Sequence, residues 1–290
     1  MTLTNELNLP QALVDACDVS PHNAPNTVSA TTLKSGVREI LLTKRHWDEL
    51  TDDVSNRIWA LFGTAVHALL EKESANTFVE EKFEKQVGNY KVTGRLDCYD
   101  MKNGIIVDYK TATVWKYKFG DYSDWRFQGL VYAWLLKQQG LEVKECQFVM
   151  MFKDFSKSKA RTEEGYPKRP VEVFRFKVTE KDLQEIEQKI ISKVKQLEEN
   201  ETVADSELPL CSDEERWAKP PTFAVMKKGR KSAIRVFDNE DNAKLMLQSC
   251  DETHYIQERK GDDGKCNGYC GCCEFCTYWQ DKYNQTEVGE

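Results

Sequence analysis

Residues 92–113, VTGRLDCYDMKNGIIVDYKTAT, restrict the possible folds more than any other stretch of the chain. Asn103-Gly104 between two alternating runs is a strong hairpin signal, because a tight turn needs residues that accept positive φ. With those two residues as the loop, Lys102 faces Ile105, Tyr99 faces Asp108 and Asp97 faces Lys110. Cross-strand partners share a face of the sheet, and so do residues two apart on one strand. Asp97, Tyr99, Asp108 and Lys110 therefore project from one face. The two carboxylates become diagonal neighbours, roughly 7 Å apart at the backbone, which side chains can close onto a shared ion. Alternating charge on a strand is more often a solvated face, with Val107 and Tyr109 packed inward, so the surrounding chain has to decide between the two readings.

The 290 residues suffice for a large core and one or two domains. With 40% apolar and 31% charged residues the mixture is an ordinary globular one. No apolar run is long enough to cross a bilayer, and MTLTNELNLPQALVDACD lacks the charged start and apolar middle of a signal peptide, so no membrane contact and a cytoplasmic location are expected. A net charge of −7 argues against general attraction to nucleic acid but leaves room for a local basic groove. FKDFSKSKAR (Phe152 to Arg161) and KKGRK (Lys227 to Lys231) are local basic stretches, more often plain solubility than a site.

Residues 1–28 read as irregular, 29–200 as one core and 201–290 as a small ββαβ unit. Within the core the pattern predicts a helix over about 29–50, then one over about 55–73 with Ile58, Trp59, Phe62, Val66, Leu69 and Leu70 as its apolar stripe. Strands follow at about 77–86, 90–99 and 105–112, a helix at 123–139 closed by Gly140, strands at 144–152 and 171–178, and a helix at 181–200 capped by Thr179 with Asp182. The stretch WKYKF (Trp115 to Phe119) interleaves rings with Trp115, Lys116 and Lys118; rings that stack bases beside cations that meet phosphates suit single-stranded ends, and an amphipathic strand is the plainer alternative.

In chain order there is a helix with GTAVH, a strand with GRLD, a strand with DYK and a helix with QGLVY. Over roughly residues 29–180 this resembles the RecB-like, CRISPR-associated-exonuclease-like branch of the PD-(D/E)XK nuclease superfamily. The resemblance implies an α/β (α+β) fold: a restriction-endonuclease-like core, with a central mixed sheet flanked by helices and a small C-terminal cysteine-rich unit. It implies that Asp97, Asp108, Lys110, Gln128 and Tyr132 are catalytic, and that His67, Asp97, Asp108 and the Tyr109 carbonyl bind Mn²⁺ or Mg²⁺. Leu96 stands where the family usually has proline, and the second acid is Asp rather than Glu. The implied activity is hydrolysis of DNA, single-stranded or at duplex ends, in recombination, repair or phage replication. The chemistry agrees: phosphodiester hydrolysis needs an activated water and charge neutralisation, which a hard divalent cation on carboxylates offers. Imidazole beside carboxylates tilts the choice towards Mn²⁺. Lys110 then favours the nucleophile's deprotonation, Gln128 fixes Lys110 or the nucleic acid strand, and Glu80 or Glu81 can add a ligand.

Half of the ten cysteines fall in CNGYCGCCEFC, Cys266 to Cys276. Such density in a reducing compartment reads as metal binding. Cys98 and Cys146 read as small core residues in strands. Relatives of the branch often carry a 4Fe-4S cluster on one N-terminal and three C-terminal cysteines. Cys266, Cys270 and Cys276 resemble the trio, but Gly36 and Val37 occupy the place of the N-terminal cysteine, so Cys211 is the expected fourth ligand. Cys270, Cys273 and Cys276 also have zinc-like spacing, which keeps Zn²⁺ as the alternative. Two other functions compete: a non-catalytic nucleic-acid-binding protein whose working module is the cysteine unit, and a redox or iron-handling protein.

Overall fold

A computed structural model describes residues 1–18, 25–70 and 77–283, except the Glu80 side chain. The helices are α1 (Gln11–Cys17), α2 (Val37–Arg45), α3 (Val54–Leu70), α4 (Val114–Phe119), α5 (Ser123–Gln138), α6 (Lys157–Thr162), α7 (Glu180–Asn200), α8 (Asp213–Arg216), α9 (Glu240–Leu247) and α10 (Thr277–Tyr283). The strands are β1 (Thr2–Thr4), β2 (Thr27–Ser29), β3 (Thr51–Asp53), β4 (Thr77–Val87), β5 (Tyr90–Asp100), β6 (Ile105–Ala112), β7 (Glu145–Phe152), β8 (Val171–Lys177), β9 (Ala218–Lys219), β10 (Thr222–Lys227), β11 (Arg235–Phe237), β12 (His254–Arg259) and β13 (Asp262–Asp263). They form two compact units, one of Met1–Ser35 with Trp47–Val203, the other of Gly36–His46 with Ala204–Glu290.

The first unit is built on a mixed sheet of order β2-β5-β6-β7-β8, with β4 also paired to β5. The β5–β6 and β7–β8 pairs are antiparallel and β6–β7 is parallel. Leu96, Tyr99, Ile106 and Phe148 are buried along its strands. On α7, Leu183, Ile186, Ile190, Val194 and Leu197 form a buried stripe at helical spacing, and the expected Thr179–Asp182 capping box is present. α5 lies close against β5: a Cβ on Gly94 would stand 2.8 Å from both Leu135 and Tyr132, so glycine there admits the helix.

Four expectations are corrected here. The hairpin pairs Asp100 with Ile105 and Tyr99 with Ile106, so its loop has four residues, 101–104. Asp100 causes this: its carboxylate accepts the N–H groups of Lys102 and Asn103 and the Asn103 side-chain amide, which organises a longer turn. The slip is two residues, an even number, so the facing of every side chain is kept. The helix read over 29–50 is only Val37–Arg45, preceded by β2, and residues 1–28 include β1 and α1 where the sequence reads as irregular. The apolar stripe of α3 is mostly uncovered: Trp59, Phe62, Leu69 and Leu70 are exposed, while Val54 is buried. Residues 71–73, expected to finish that helix, lie outside the described residues.

In the second unit β11, β10 and β12 form an antiparallel sheet beside α9, and β9 pairs β13. Its N-terminal piece is α2, whose Val37, Ile40, Leu41 and Leu42 are buried. Lys265 pairs with Glu39 at 2.6 Å, His46 binds Asp205 at 2.7 Å, and the His46 ring stacks on Phe275 at 4.0 Å. Among the described residues no helix is long and apolar enough to cross a membrane.

Candidate active site

The site begins where the β5–β6 ladder ends. Beyond Cys98–Val107, the Asp97 carboxylate takes over the strand's role and accepts the Tyr109 N–H at 2.7 Å. This side-chain bond satisfies the backbone donor while holding a carboxylate between the strands. His67 on α3 reaches the same place, its Nε2 donating to the Tyr109 carbonyl at 2.8 Å and its Nδ1 standing 3.2 Å from Asp97 Oδ1. Both nitrogens face acceptors, so the imidazolium suits the site. The Asp97 hydrogen bond, with its charge and the Tyr109 carbonyl in support, raises His67 above its ordinary value against the opposing effect of burial.

Asp108 is 1% exposed. Burial pushes its carboxyl up to about 6; Lys110 opposes that rise, and the Asp97 charge adds to it. Lys110 Nζ stands 2.6 Å from Asp108 Oδ1, yet that oxygen has no aligned hydrogen bond. The contact is a close ion pair between the two side chains. Two carboxylates, an imidazole and a backbone carbonyl make a donor set that fits Mg²⁺ or Mn²⁺. Among the described residues, no group of three or more His, Cys, Asp or Glu side chains is already gathered as a metal site.

Gln128 and Tyr132, both buried on α5, bond to each other: Gln128 Nε2 donates to the Tyr132 hydroxyl at 2.7 Å. The hydrogen bond of Gln128 therefore runs to Tyr132 and not to Lys110. Glu81 is exposed, opposite Leu96. WKYKF is the helix α4 and not a strand. Trp115 and Phe119 are 61% and 73% exposed with rings 4.9 Å apart, but Lys116 is drawn inward, 2.8 Å from Asp124 and over the Trp125 ring. Lys118 pairs with Glu163 at 2.5 Å and lies over Trp115. Trp115, Lys118, Lys159 and Tyr166 line a cleft of about 360 Å³ at the end of β6. On α3, Trp59 carries Lys153 4.0 Å above its ring, a pair the sequence pattern hides by presenting Trp59 as core.

In the second unit Cys211, Cys266, Cys270, Cys272, Cys273 and Cys276 line one cavity. Cys270 and Cys272 Sγ are 3.7 Å apart. The Cys272 hydrogen bond lowers Cys270 to about 7, whereas burial raises Cys211 to about 11 and Cys266 to about 12. A Cβ on Gly36 would fall 2.5 Å from Cys211 Sγ, so the Cys211 thiol stands where a side chain at position 36 would begin. Arg38 and Trp279, which the sequence pattern does not mark, also line this cavity. Cys146 is buried with its thiol towards the Gly129 carbonyl, and Cys98 is half-buried in β5.

A family model described as the PD-(D/E)XK nuclease superfamily matches residues 28–214. The chain belongs to that superfamily. Its sheet and flanking helices are the restriction-endonuclease-like core of the family, and the chain carries a nuclease core. No curated protein matches the chain. Among solved structures it is similar to SSO0001 at 18% identity, covering 62% of this chain and 84% of that one, with a TM-score of 0.44. It is also similar to an alkaline exonuclease from Laribacter hongkongensis at 12% identity, covering 60% and 89%, with a TM-score of 0.39. A phage-related exonuclease from Haemophilus somnus 129PT is similar at 12% identity over 65% and 86%, with a TM-score of 0.32. The superfamily assignment rests on the family model and not on these likenesses.

Proposed function

We propose that this protein is a divalent-metal-dependent deoxyribonuclease that degrades DNA from its ends. One observation carries the reading: Asp97, a buried Asp108, Lys110, His67 and the Tyr109 carbonyl meet where β5 and β6 part. His67, Asp97, Asp108 and the Tyr109 carbonyl would hold Mn²⁺ or Mg²⁺. That ion supplies Lewis-acid activation of water and neutralises charge on the phosphoryl group. Lys110 places a second positive charge beside the phosphate and orients the nucleophilic water towards it. His67 gives up a proton to serve as a ligand. Gln128 and Tyr132 brace α5 against β5. Exposed Trp115 and Phe119, beside Lys118, offer stacking surfaces to an unpaired strand leaving the site. A place in recombination, repair or phage replication suits an enzyme working on DNA ends.

The cysteine cavity is read as a 4Fe-4S site held by Cys211, Cys266, Cys270 and Cys276, within a RecB-like architecture. Six cysteines around one cavity, with the Cys211 thiol at the start of α2, support a thiolate-held metal centre, and zinc is the alternative occupant.

The test is a time course on end-labelled linear DNA and covalently closed circles with Mn²⁺ or Mg²⁺. Linear DNA should be consumed from its ends while circles persist. Lys110→Ala should slow cleavage by roughly 2–5 kcal/mol of barrier while Mn²⁺ binding survives. An inert parent protein under both metals would end the nuclease reading, and cleavage of circles would end the end-dependent part.

A further inference from the structure

Arg38 is 6% exposed, and its guanidinium has no carboxylate ion-pair partner among the described residues. Its neighbours are neutral: the carbonyls of Ser206, Leu208 and Pro209, the Thr277 hydroxyl at 3.1 Å and the Cys276 thiol at 3.7 Å. A buried cation with only neutral partners is costly, and an anion beside it removes that cost. Arg38 lines the cysteine cavity together with Glu39, which is paired with Lys265 at 2.6 Å, and Arg216, which faces Asp263, so the thiols are the groups left there that can become anionic towards Arg38. A second donor lines the same cavity: Trp279 Nε1–H is buried and has no acceptor among the described residues. A cavity edged by a guanidinium and an unanswered indole N–H suits a centre rich in negative sulfur. A cluster of four irons on four thiolates is such a centre, since its net charge is negative and its sulfurs accept hydrogen bonds.

We infer that Arg38 is the buried counter-cation of the iron–sulfur centre, and that the Trp279 N–H bonds one of its sulfurs, the two together raising the centre's reduction potential. This rests on the cluster reading of the cysteine cavity. Reduction adds an electron, and therefore negative charge, to the cluster. A fixed positive charge and an N–H dipole favour the reduced form. Arg38 is thus a positioning residue for charge. A purely mechanical clamp on residues 206–209 would stabilise the unit and leave the potential alone.

The experiment uses the full chain, loaded anaerobically with iron and sulfide. Iron content, visible absorbance and midpoint potential are measured for the parent, Arg38→Met, Arg38→Lys and Trp279→Phe. Arg38→Met and Trp279→Phe should load and move the potential to more negative values, while Arg38→Lys, which keeps the charge, should stay nearer the parent. Should Arg38→Met fail to fold or load, Arg38→Gln, which also removes the charge, takes its place, and parental potentials in Trp279→Phe together with a loaded Arg38→Met or Arg38→Gln would overturn the inference. A parent chain that takes up zinc, or no metal, would overturn the cluster reading and the inference with it; this result is seen before any variant is compared.

Discussion

Asp108 is a buried carboxylate of the candidate site, held against Lys110. Its carboxyl is pushed up to about 6 by burial, so without metal the folded protein holds this proton more tightly than the unfolded chain, whose value is near 3.8. The sign follows: the stability this residue contributes is complete below about pH 4 and is lost as pH rises through about 6. Asp108→Asn removes the ionisation, so in EDTA the variant should gain on the parent between pH 5 and pH 8, by about 1–3 kcal/mol at most, since Lys110 loses its partner. Parental Mn²⁺ affinity should rise over the same interval, because the ion displaces a proton, and the variant should bind Mn²⁺ poorly and cleave nothing. Melting curves and manganese titrations at the two pH values check both parts. An unchanged gap between parent and variant would show that Asp108 does not titrate there. Much of this site is readable in the sequence. The face shared by Asp97, Asp108 and Lys110 follows from strand alternation, and that alternation survives the two-residue slip in the turn. The slip itself is hidden because Asn103-Gly104 outweighs Asp100 as a signal, although Asp100 organises the loop.

Among the elements, the sequence finds α5 and α7 to within a residue or two: α7 buries a stripe at helical spacing, while α5, buried all round from Gln128 to Leu136, is marked by its length and by Gly140 after its end. The same periodicity misleads at α3, whose apolar residues are real but uncovered. Burial depends on what the rest of the chain brings to a face, and a single-helix pattern does not contain that. α4 carries its own test. Trp115→Ala should weaken single-stranded DNA binding by about 1–3 kcal/mol, with stability changed by less than about 0.5 kcal/mol, because the ring is exposed. Fluorescence anisotropy on an inactive Asp108→Asn background, with melting curves, separates the two effects; parental affinity would remove α4 from the DNA path. The N-terminus of α2 permits a sharper exchange. Gly36→Ala alone should lose about 1–3 kcal/mol of stability, because its Cβ meets the Cys211 thiol at 2.5 Å. Gly36→Cys combined with Cys211→Ala should load more iron than Cys211→Ala alone, since the thiol returns to nearly the same place from the other chain segment. Equal iron contents would separate Cys211 from the cluster.

For the whole molecule, the division into units does not follow the order of the chain. The sequence places residues 29–50 with the nuclease core because contiguous segments are the default reading. Contacts assign Gly36–His46 to the second unit instead. A chain cut after Val203 therefore keeps α2 but loses what covers Val37, Ile40, Leu41 and Leu42. Each large apolar side chain re-exposed costs about 1.5–3 kcal/mol, so the shortened chain should be poorly soluble, and removing α2 as well should recover solubility. Soluble yields of the two truncations check this; equal yields would mean that α2 needs no cover from residues 204–283. The arrangement also sets a timetable for biosynthesis. On the ribosome α2 is made before residues 204–283, so its apolar side waits for them. Any metal centre between them forms only after both segments have been made, and that helix needs shelter until then.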